Sequence, residues 1–375
     1  MDFSVITTFR CDSKCQMCYI WQNPSKSAEE IGPDVLAKLP GGFDNLNITG
    51  GEPTLRHDLP AIVEVLQPKG RILEISTNGL HADRLEPIIR KYPCTKVRFS
   101  LEGMDLLNDR IRGEEGGFEK KLAGMKVLQA AGGKDLGFAT VIQDENADQL
   151  AGLYAMAQEM GLELSTSTLH NAWQFHKNDN YFYDRVRVAH EVEKLIEAML
   201  RTNSVKNWFR AYMNLGLIKK ILGQDRLMPC TAGTDFAFVD PWGKVWACNV
   251  RTDLPMGDLK TQTWEQIINS DVARQSIGKV KACSQNCWMV TTARTAMRSK
   301  ILPQLPKLGP LEWVIRNKIR TALGMHVCFD KYIDYANVKE TPRVERHSFL
   351  GKKDTPRKTQ AASDPHYTLG EFENQ

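Results

Sequence analysis

Nine cysteines are the residues of this chain best suited to chemistry, and most of them are clustered. Cys11, Cys15 and Cys18 form Cys-x3-Cys-x2-Cys just after a short β-prone run, Ser4–Thr8. Cys230, Cys248, Cys283 and Cys287 make a second group, and Cys94 and Cys328 stand alone. An odd number without a secretion signal argues against a disulfide scaffold and for metal or redox work. Thiolates are soft ligands that select iron–sulfur clusters, zinc or copper. Three of them leave one metal position open, where a substrate or cofactor can bind. Structural zinc normally takes four ligands, and the triplet has no nearby Cys or His to complete them. The second group supplies four thiols, enough for a complete iron–sulfur cluster or a closed zinc site.

The elements that must position these thiols read as alternating strands and helices. After Ser4–Thr8, β-prone runs follow at Asn45–Thr49, Arg71–Ser76, Lys96–Ser100, Gly137–Ile142 and Glu163–Ser167. Between them lie helical patterns such as Leu59-Ile62-Val63-Leu66 and Leu150-Leu153-Tyr154-Ala157. Six β/α units imply an α/β fold with a parallel sheet, a partial (β/α)6 TIM-like barrel over residues 1–170, with its chemistry at the carboxyl ends of the strands. Residues 171–229 read as a helical bridge, with helices at 186–201 and 205–222. Residues 230–290 read as a small α+β domain, in which Phe236–Val239 and Val245–Ala247 flank the turn Asp240-Pro241-Trp242-Gly243. Residues 291–338 form a basic amphipathic segment, and 339–375 read as a disordered tail.

The first triplet sits in a longer pattern. Cys11-Asp12-Ser13-Lys14-Cys15-Gln16-Met17-Cys18-Tyr19 resembles the signature of the radical S-adenosylmethionine (radical SAM) superfamily. Gly50-Gly51-Glu52-Pro53 resembles that family's glycine-rich loop after the second strand, whose backbone and Glu bind the methionine amino group of SAM. Ser76-Thr77-Asn78-Gly79 resembles the loop after the third strand. Ser100-Leu101-Glu102-Gly103 resembles the Ser-Leu-Asp-Gly loop after the fourth, where the Ser contacts SAM, and Asp109-x-x-Arg112-Gly113 a stretch that commonly follows. Glu102 replaces the usual Asp, and Asn108 stands where His is frequent. The resemblance covers about residues 3–170. It implies that Cys11, Cys15 and Cys18 hold a 4Fe–4S cluster and that Gly50, Gly51, Glu52, Pro53, Thr77, Asn78 and Ser100 lie against SAM. Thr140, ending the fifth strand, either faces SAM or packs the strand end.

The second group resembles the C-terminal auxiliary-cluster domain of many radical SAM enzymes: a Cys before a hairpin, a Gly on its turn and a Cys after it. Met256-Gly257-Asp258-Leu259 and Trp264–Ser270 also look like that segment. Its full version, SPASM, has seven cysteines and two clusters; four here match the truncated Twitch variant with one auxiliary 4Fe–4S cluster. Zinc remains the alternative, as does burial of Cys283 and Cys287 on one helix face. Cys94 reads as a small buried hydrophobe, and Cys328 as a fifth thiol of unassigned role.

The net charge of +4, from 49 basic and 45 acidic residues, does not suggest nucleic acid. No apolar run is long enough to span a membrane, and no signal peptide opens the chain, so the expected location is cytoplasmic. From Arg294 to Arg320 the chain carries seven lysines and arginines against one acid, Glu312. There Pro310 opens a helix with Leu311, Val314, Ile315, Ile319, Ala322 and Leu323 on one face. It reads as docked on the protein or as lying on the inner face of an anionic membrane. The resemblance implies a radical SAM enzyme, of oxidoreductase type, that cleaves SAM to a 5′-deoxyadenosyl radical and takes electrons from a flavodoxin or ferredoxin. The first strand begins almost at residue 1, leaving no room for a leader-binding domain, which favours a small or lipid-linked, sugar- or polyol-like substrate. A peptide- or protein-modifying maturase and a non-enzymatic electron carrier are the alternatives. Glu102, His170 and His176 are unranked acid–base candidates, and the chain shows no nucleophilic triad or GxxxxGK[ST] phosphate loop.

Overall fold

The computed structural model of the 375-residue chain describes residues 1–301 and 309–340. Six strands, β1 (Asp2–Ile6), β2 (Asn45–Thr49), β3 (Leu73–Thr77), β4 (Lys96–Ser100), β5 (Asp135–Ile142) and β6 (Glu163–Thr168), pair in chain order, all in parallel. Helices α1 (Pro33–Leu36), α2 (Leu59–Leu66), α3 (Ala82–Lys91), α4 (Asp105–Arg112), α5 (Gly117–Ala130) and α6 (Leu150–Glu159) connect them, giving an α/β partial barrel. In α2 the buried residues Leu59, Ile62, Val63 and Leu66 recur at helical spacing, so one face meets the sheet. Along the strands the period is two. Phe3 and Val5, Leu46 and Ile48, and Val97 and Phe99 enter the main apolar core with the helices. Asp2, Ser4, Asn47, Lys96 and Arg98 therefore turn to the inner face of the barrel.

The amino ends of the strands carry an ionic floor on that inner face. Arg294 and Arg298, from α11 (Val290–Ile301), grip Asp2 at 2.7 and 2.9 Å. Lys96 meets Glu74 at 2.8 Å, and Glu163 takes Arg210 at 2.6 Å as well as Arg98 and Lys206.

α7 (Arg185–Arg201) and α8 (Val205–Leu222) pack together, their starts capped by the side chains of Asp184 and Ser204. β7 (Phe236–Val239), β8 (Lys244–Trp246) and β9 (Pro255–Asp258) follow, then α9 (Trp264–Ile268) and α10 (Asp271–Lys281). The turn between β7 and β8 is bound by Asp240, whose carboxylate accepts the N–H groups of Trp242 and Lys244, and Gly243 sits at φ 92°. β7 does not begin a separate sheet. It pairs in parallel with β1, Asp2 opposite Phe236, so one nine-stranded sheet runs β6-β5-β4-β3-β2-β1-β7-β8-β9. This covers an edge of β1 that would otherwise expose unpaired backbone groups.

Two expectations change. α12 (Gly309–Ala322) docks through Pro310, Trp313, Val314 and Asn317, whereas Ile315, Ile319 and Leu323 are exposed. Trp313 packs edge-on to Tyr212, and this large ring decides which face turns inward. Cys94 is exposed rather than buried, because it lies in the turn between α3 and β4. Nearly all of the expected tail, from residue 341, lies outside the described residues. Among the described residues no helix is long and apolar enough to cross a membrane.

Candidate active site

The first cysteine triplet lies in the loop after β1, and other loops hold it in place. At the end of α4, the carbonyls of Arg112 and Ile111 accept the N–H groups of Lys14 and Gln16, both at 2.9 Å. Gly113 ends that helix at φ 61°, and a Cβ there would stand 2.8 Å from the Lys14 carbonyl. Only glycine allows this approach. After β3, Asn78 donates to Asp12 at 2.6 Å and to Ser13 at 2.9 Å, while His81 meets Asp12 at 2.6 Å. The segment after β6 closes the third side. Asn180 donates to the Met17 carbonyl at 3.1 Å, Phe175 accepts the Tyr19 N–H, and Lys177 lies over the Tyr19 ring.

Beneath the loop is a buried charge network. Arg112 donates to Glu102 and Glu114, both at 3.0 Å, and Glu114 is also bound by Lys121 and Ser13. The three thiols lie within electrostatic reach of one another through Cys15. Burial pushes all three up, Cys18 to about 12, and Cys15 pushes both of its neighbours further. Arg112 pulls in the opposite direction at each. Among the described residues no three Cys, His, Asp or Glu side chains already stand at metal-ligand geometry. The donor set nevertheless fits a thiophilic cluster: three gathered soft thiols, whose protons a bound metal would displace.

The other expected ligand contacts occupy the same rim, in different roles. Glu52 is fully buried and accepts from the Thr54 N–H (2.9 Å), the Thr54 hydroxyl (2.6 Å), the Thr77 hydroxyl (2.7 Å) and the Asn78 N–H (2.6 Å). Its carboxylate thus ties the loops after β2 and β3 together. Pro53 starts the short turn that completes this arrangement. Gly50 and Gly51 run against the chain just before Cys11, where a Cβ would lie 2.5 Å from the Thr8 carbonyl and 2.2 Å from that of Arg10. Ser100 ends β4 on the inner face. Thr140 is buried and donates to the Leu101 carbonyl at 2.7 Å, so its hydroxyl is engaged in strand-end packing. Glu102, buried beside Arg112, accepts from the Val141 N–H at 2.6 Å.

Cys230, Cys248, Cys283 and Cys287 also come together: Cys287 and Cys230 act electrostatically on Cys248, and Cys283 and Cys230 on Cys287. Cys283 and Cys287 lie in the irregular stretch between α10 and α11, not on a helix face. Burial pushes Cys248 up to about 12, and the Val250 N–H points at its sulfur at 3.3 Å. Cys328 is anchored apart from them, its N–H donating to Asn317 on α12. Between the end of β6 and Cys287 lies a cavity of about 370 Å³, lined by His170, Asn171, Asn180, Lys220 and Gln224 among others. His170 has its Nδ1 against the Thr168 carbonyl at 3.3 Å and its Nε2 buried without a partner. Burial first, and Lys220 next, lower it to about 3, so the ring is neutral.

Arg112, Glu114 and Lys121 support the triplet and were missed as a network; the only local hint was the Asp-x-x-Arg-Gly stretch. Residues 5–157 match the model of the radical SAM superfamily, and residues 230–288 that of an iron–sulfur cluster-binding domain. An Fe-coproporphyrin III synthase of Methanosarcina barkeri is 31% identical over 160 residues, 40% of this chain and 39% of that protein. A pre-heme d1 synthase of Dinoroseobacter shibae is 30% identical over 210 residues, 52% and 50% of the two chains. A GTP 3′,8-cyclase 1 of Mycobacterium tuberculosis is 32% identical over 170 residues, 41% and 47%. The chain thus spans half or less of the length of these three relatives. Among solved structures, anSMEcpe with bound AdoMet matches with TM-score 0.55 at 14% identity, covering 86% of this chain and 97% of that one. Streptococcus suis SuiB matches with TM-score 0.56 at 16% identity, covering 78% and 71%. Both share the fold.

Proposed function

We propose that this chain, which belongs to the radical SAM superfamily and carries a C-terminal iron–sulfur cluster-binding (SPASM) domain, is an enzyme that cleaves S-adenosylmethionine reductively and oxidises a small polar metabolite. The observation that carries this reading is the half-buried thiol triplet, clamped at the carboxyl ends of the strands by the loops after β3, α4 and β6. Cys11, Cys15 and Cys18 would hold a 4Fe–4S cluster, and Cys230, Cys248, Cys283 and Cys287 an auxiliary one. Held by these thiols and reduced, such a cluster would supply the electron for cleavage of the S–C5′ bond of SAM, the chemistry that yields methionine and a 5′-deoxyadenosyl radical.

The chain's own residues position and exclude. Glu52 fixes the loops after β2 and β3, so that the backbone of Gly50 and Gly51 and the side chain of Ser100 are set on the rim for SAM. Arg112 balances Glu102 and Glu114 under the cluster loop. The cavity beside Cys287 supports a small hydroxylated substrate of sugar or polyol kind, because its lining offers amides, an imidazole and an ammonium for hydrogen bonding. An electron donor of flavodoxin or ferredoxin type completes the reading.

The test is an anaerobic iron and sulfide count coupled to SAM cleavage, on wild type and on Cys283→Ala/Cys287→Ala. About eight irons in wild type and about four in a variant that still forms 5′-deoxyadenosine support two four-iron clusters and SAM chemistry at the first. No deoxyadenosine from reduced, cluster-loaded wild type would overturn it. Deoxyadenosine formed only with added peptides would replace the polyol substrate with a peptide.

A further inference from the structure

We propose that the amino end of the barrel holds a second ligand site, a cation-ringed apolar cavity that takes an aliphatic chain ended by a carboxylate or a phosphate. It lies at the end of the sheet opposite the first cysteine triplet and uses neither cysteine group.

The cavity encloses about 400 Å³, within the range of pockets that take small organic ligands. Two helices face each other across it. α8 contributes Lys206, Phe209, Arg210 and Met213, spaced i, i+3, i+4 and i+7, so they share one face. α11 contributes Val290, Arg294, Met297 and Arg298 at the same kind of spacing. Lys96 of β4, with Ser165 and Thr166 of β6, closes the third side. Phe209, Met213 and Val290 are only partly buried, so the cavity leaves apolar surface uncovered. No carboxylate lines it among the described residues.

Its cations belong to two ion-pair networks, and the cavity lies along their seam. In one, Lys96, Arg294 and Arg298, with Arg71 at the rim, share Asp2, Glu74 and Asp44. In the other, Arg98, Lys206 and Arg210 share Asp135 and Glu163. Each network is at least one carboxylate short among the described residues. The surplus leaves a donor idle: the buried Nε of Arg98 has no hydrogen-bond partner there. Cations removed from water without enough acceptors favour an anion beside them.

The neutral polar groups of the lining are already satisfied. Thr166 donates to Asn214 at 2.8 Å, and the Asn214 amide donates to the Arg210 carbonyl at 2.9 Å. Ser165 donates to the Phe138 carbonyl at 3.2 Å. What remains is cationic donors and apolar surface, which an anionic head on an aliphatic chain matches and a polyol does not. Lys96 and Arg210, at 14% and 16% exposure, sit deeper than Arg298 and Lys206, at 42% and 50%. The two deeper groups are less screened by water and are the ones placed to hold the head.

Isothermal titration calorimetry on the full-length, anaerobically purified protein tests this. The probes are decanoate, decyl phosphate, decanol and inorganic phosphate, each below any micelle-forming concentration. A charged chain should bind once per protein, with decanol and inorganic phosphate weaker by about tenfold or more. Whichever of decanoate and decyl phosphate binds tighter names the head group. Arg210→Gln should weaken binding by about tenfold or more, and Glu163 keeps Arg98 and Lys206 in that variant. Arg294→Gln should act alike, with Asp2 still held by Arg298. Met213→Trp, which fills the cavity, should abolish binding. Affinity matched by decanol, or unchanged in both arginine variants with native circular dichroism, overturns the proposal. So does binding of inorganic phosphate without either charged chain, or no binding at all.

Discussion

Replacing Arg112 with Met should destabilise the protein more at alkaline than at acidic pH. The guanidinium is buried and donates at 3.0 Å to both Glu102 and Glu114. Glu114 retains Lys121 and Ser13 in the variant, but Glu102 keeps only neutral donors such as the Val141 N–H. Removing one partner of a buried pair costs about 3–5 kcal/mol, because a charge is left uncompensated. Burial already raises Glu102 above its ordinary 4.5, and Arg112 is the first of the groups opposing that rise, so its loss raises Glu102 further. A carboxyl whose folded pKa exceeds its unfolded one binds more protons when folded. Stability therefore falls as pH rises from the unfolded value through the folded one. The gap between wild type and Arg112→Met, measured by urea unfolding with tryptophan fluorescence, should be wider at about pH 8 than at about pH 5. Adding Glu102→Gln, which removes the stranded charge, should recover part of the loss in a double-mutant cycle. A loss below about 1 kcal/mol, or one equal at both pH values and unrelieved by Glu102→Gln, refutes the reasoning.

At the barrel floor, burial pushes Glu163 up but Arg210, Lys206 and Arg98 outweigh it and hold the carboxyl near 2. Its contribution is present above the ordinary 4.5 and is lost as pH falls toward 2; Glu163→Gln should cost on the order of 3 kcal/mol near neutrality and flatten the acid limb of a thermal-melt series. In α8, Gly216→Ala would gain about 1 kcal/mol from helix propensity alone. Its Cβ would, however, lie 1.9 Å from the Trp288 ring, next to Cys287. We expect a lower melting temperature and a fall from about eight irons to about four, and a more stable variant with full iron would contradict this packing.

The six barrel strands and the helices of the bridge were legible because their apolar residues recur at periods of two and 3.6, signals carried within a single element. Leu59, Ile62, Val63 and Leu66 are such a case: the spacing alone names the buried face. On α12 the same logic chose the wrong stripe. A count of aliphatic residues favoured Ile315, Ile319 and Leu323, but packing is decided by the volume of Trp313 and by Asn317, whose amide is satisfied by the Trp313 carbonyl and the Cys328 N–H. The pairing of β7 with β1 had no local signal. Neither strand's sequence states its neighbour, and the pairing follows from covering a free edge. Gly50 and Gly51 were read as lying against SAM, and the structure adds another reason for glycine there, close passage of the chain at Thr8–Arg10.

The deeper limit concerns charge. Spacing picks out both cysteine groups, because what it detects is a set of like donors near one another in the chain. It says nothing of the charges around each group, since identical thiols serve both. Those charges come from other elements. Glu102, Arg112, Glu114 and Lys121 come to Cys15 from the end of β4, α4 and α5, while Lys220, at the end of α8, lines the cavity beside Cys287. In sequence, Lys220 is one of two lysines in the last turn of a helix, where the helix dipole is reason enough for a cation. Only the packing reveals that Lys219 reaches a neighbouring carbonyl while Lys220 lines the cavity that Cys287 also lines. The positions of the thiols are thus a local property of the chain, and the charges around them are a property of the fold.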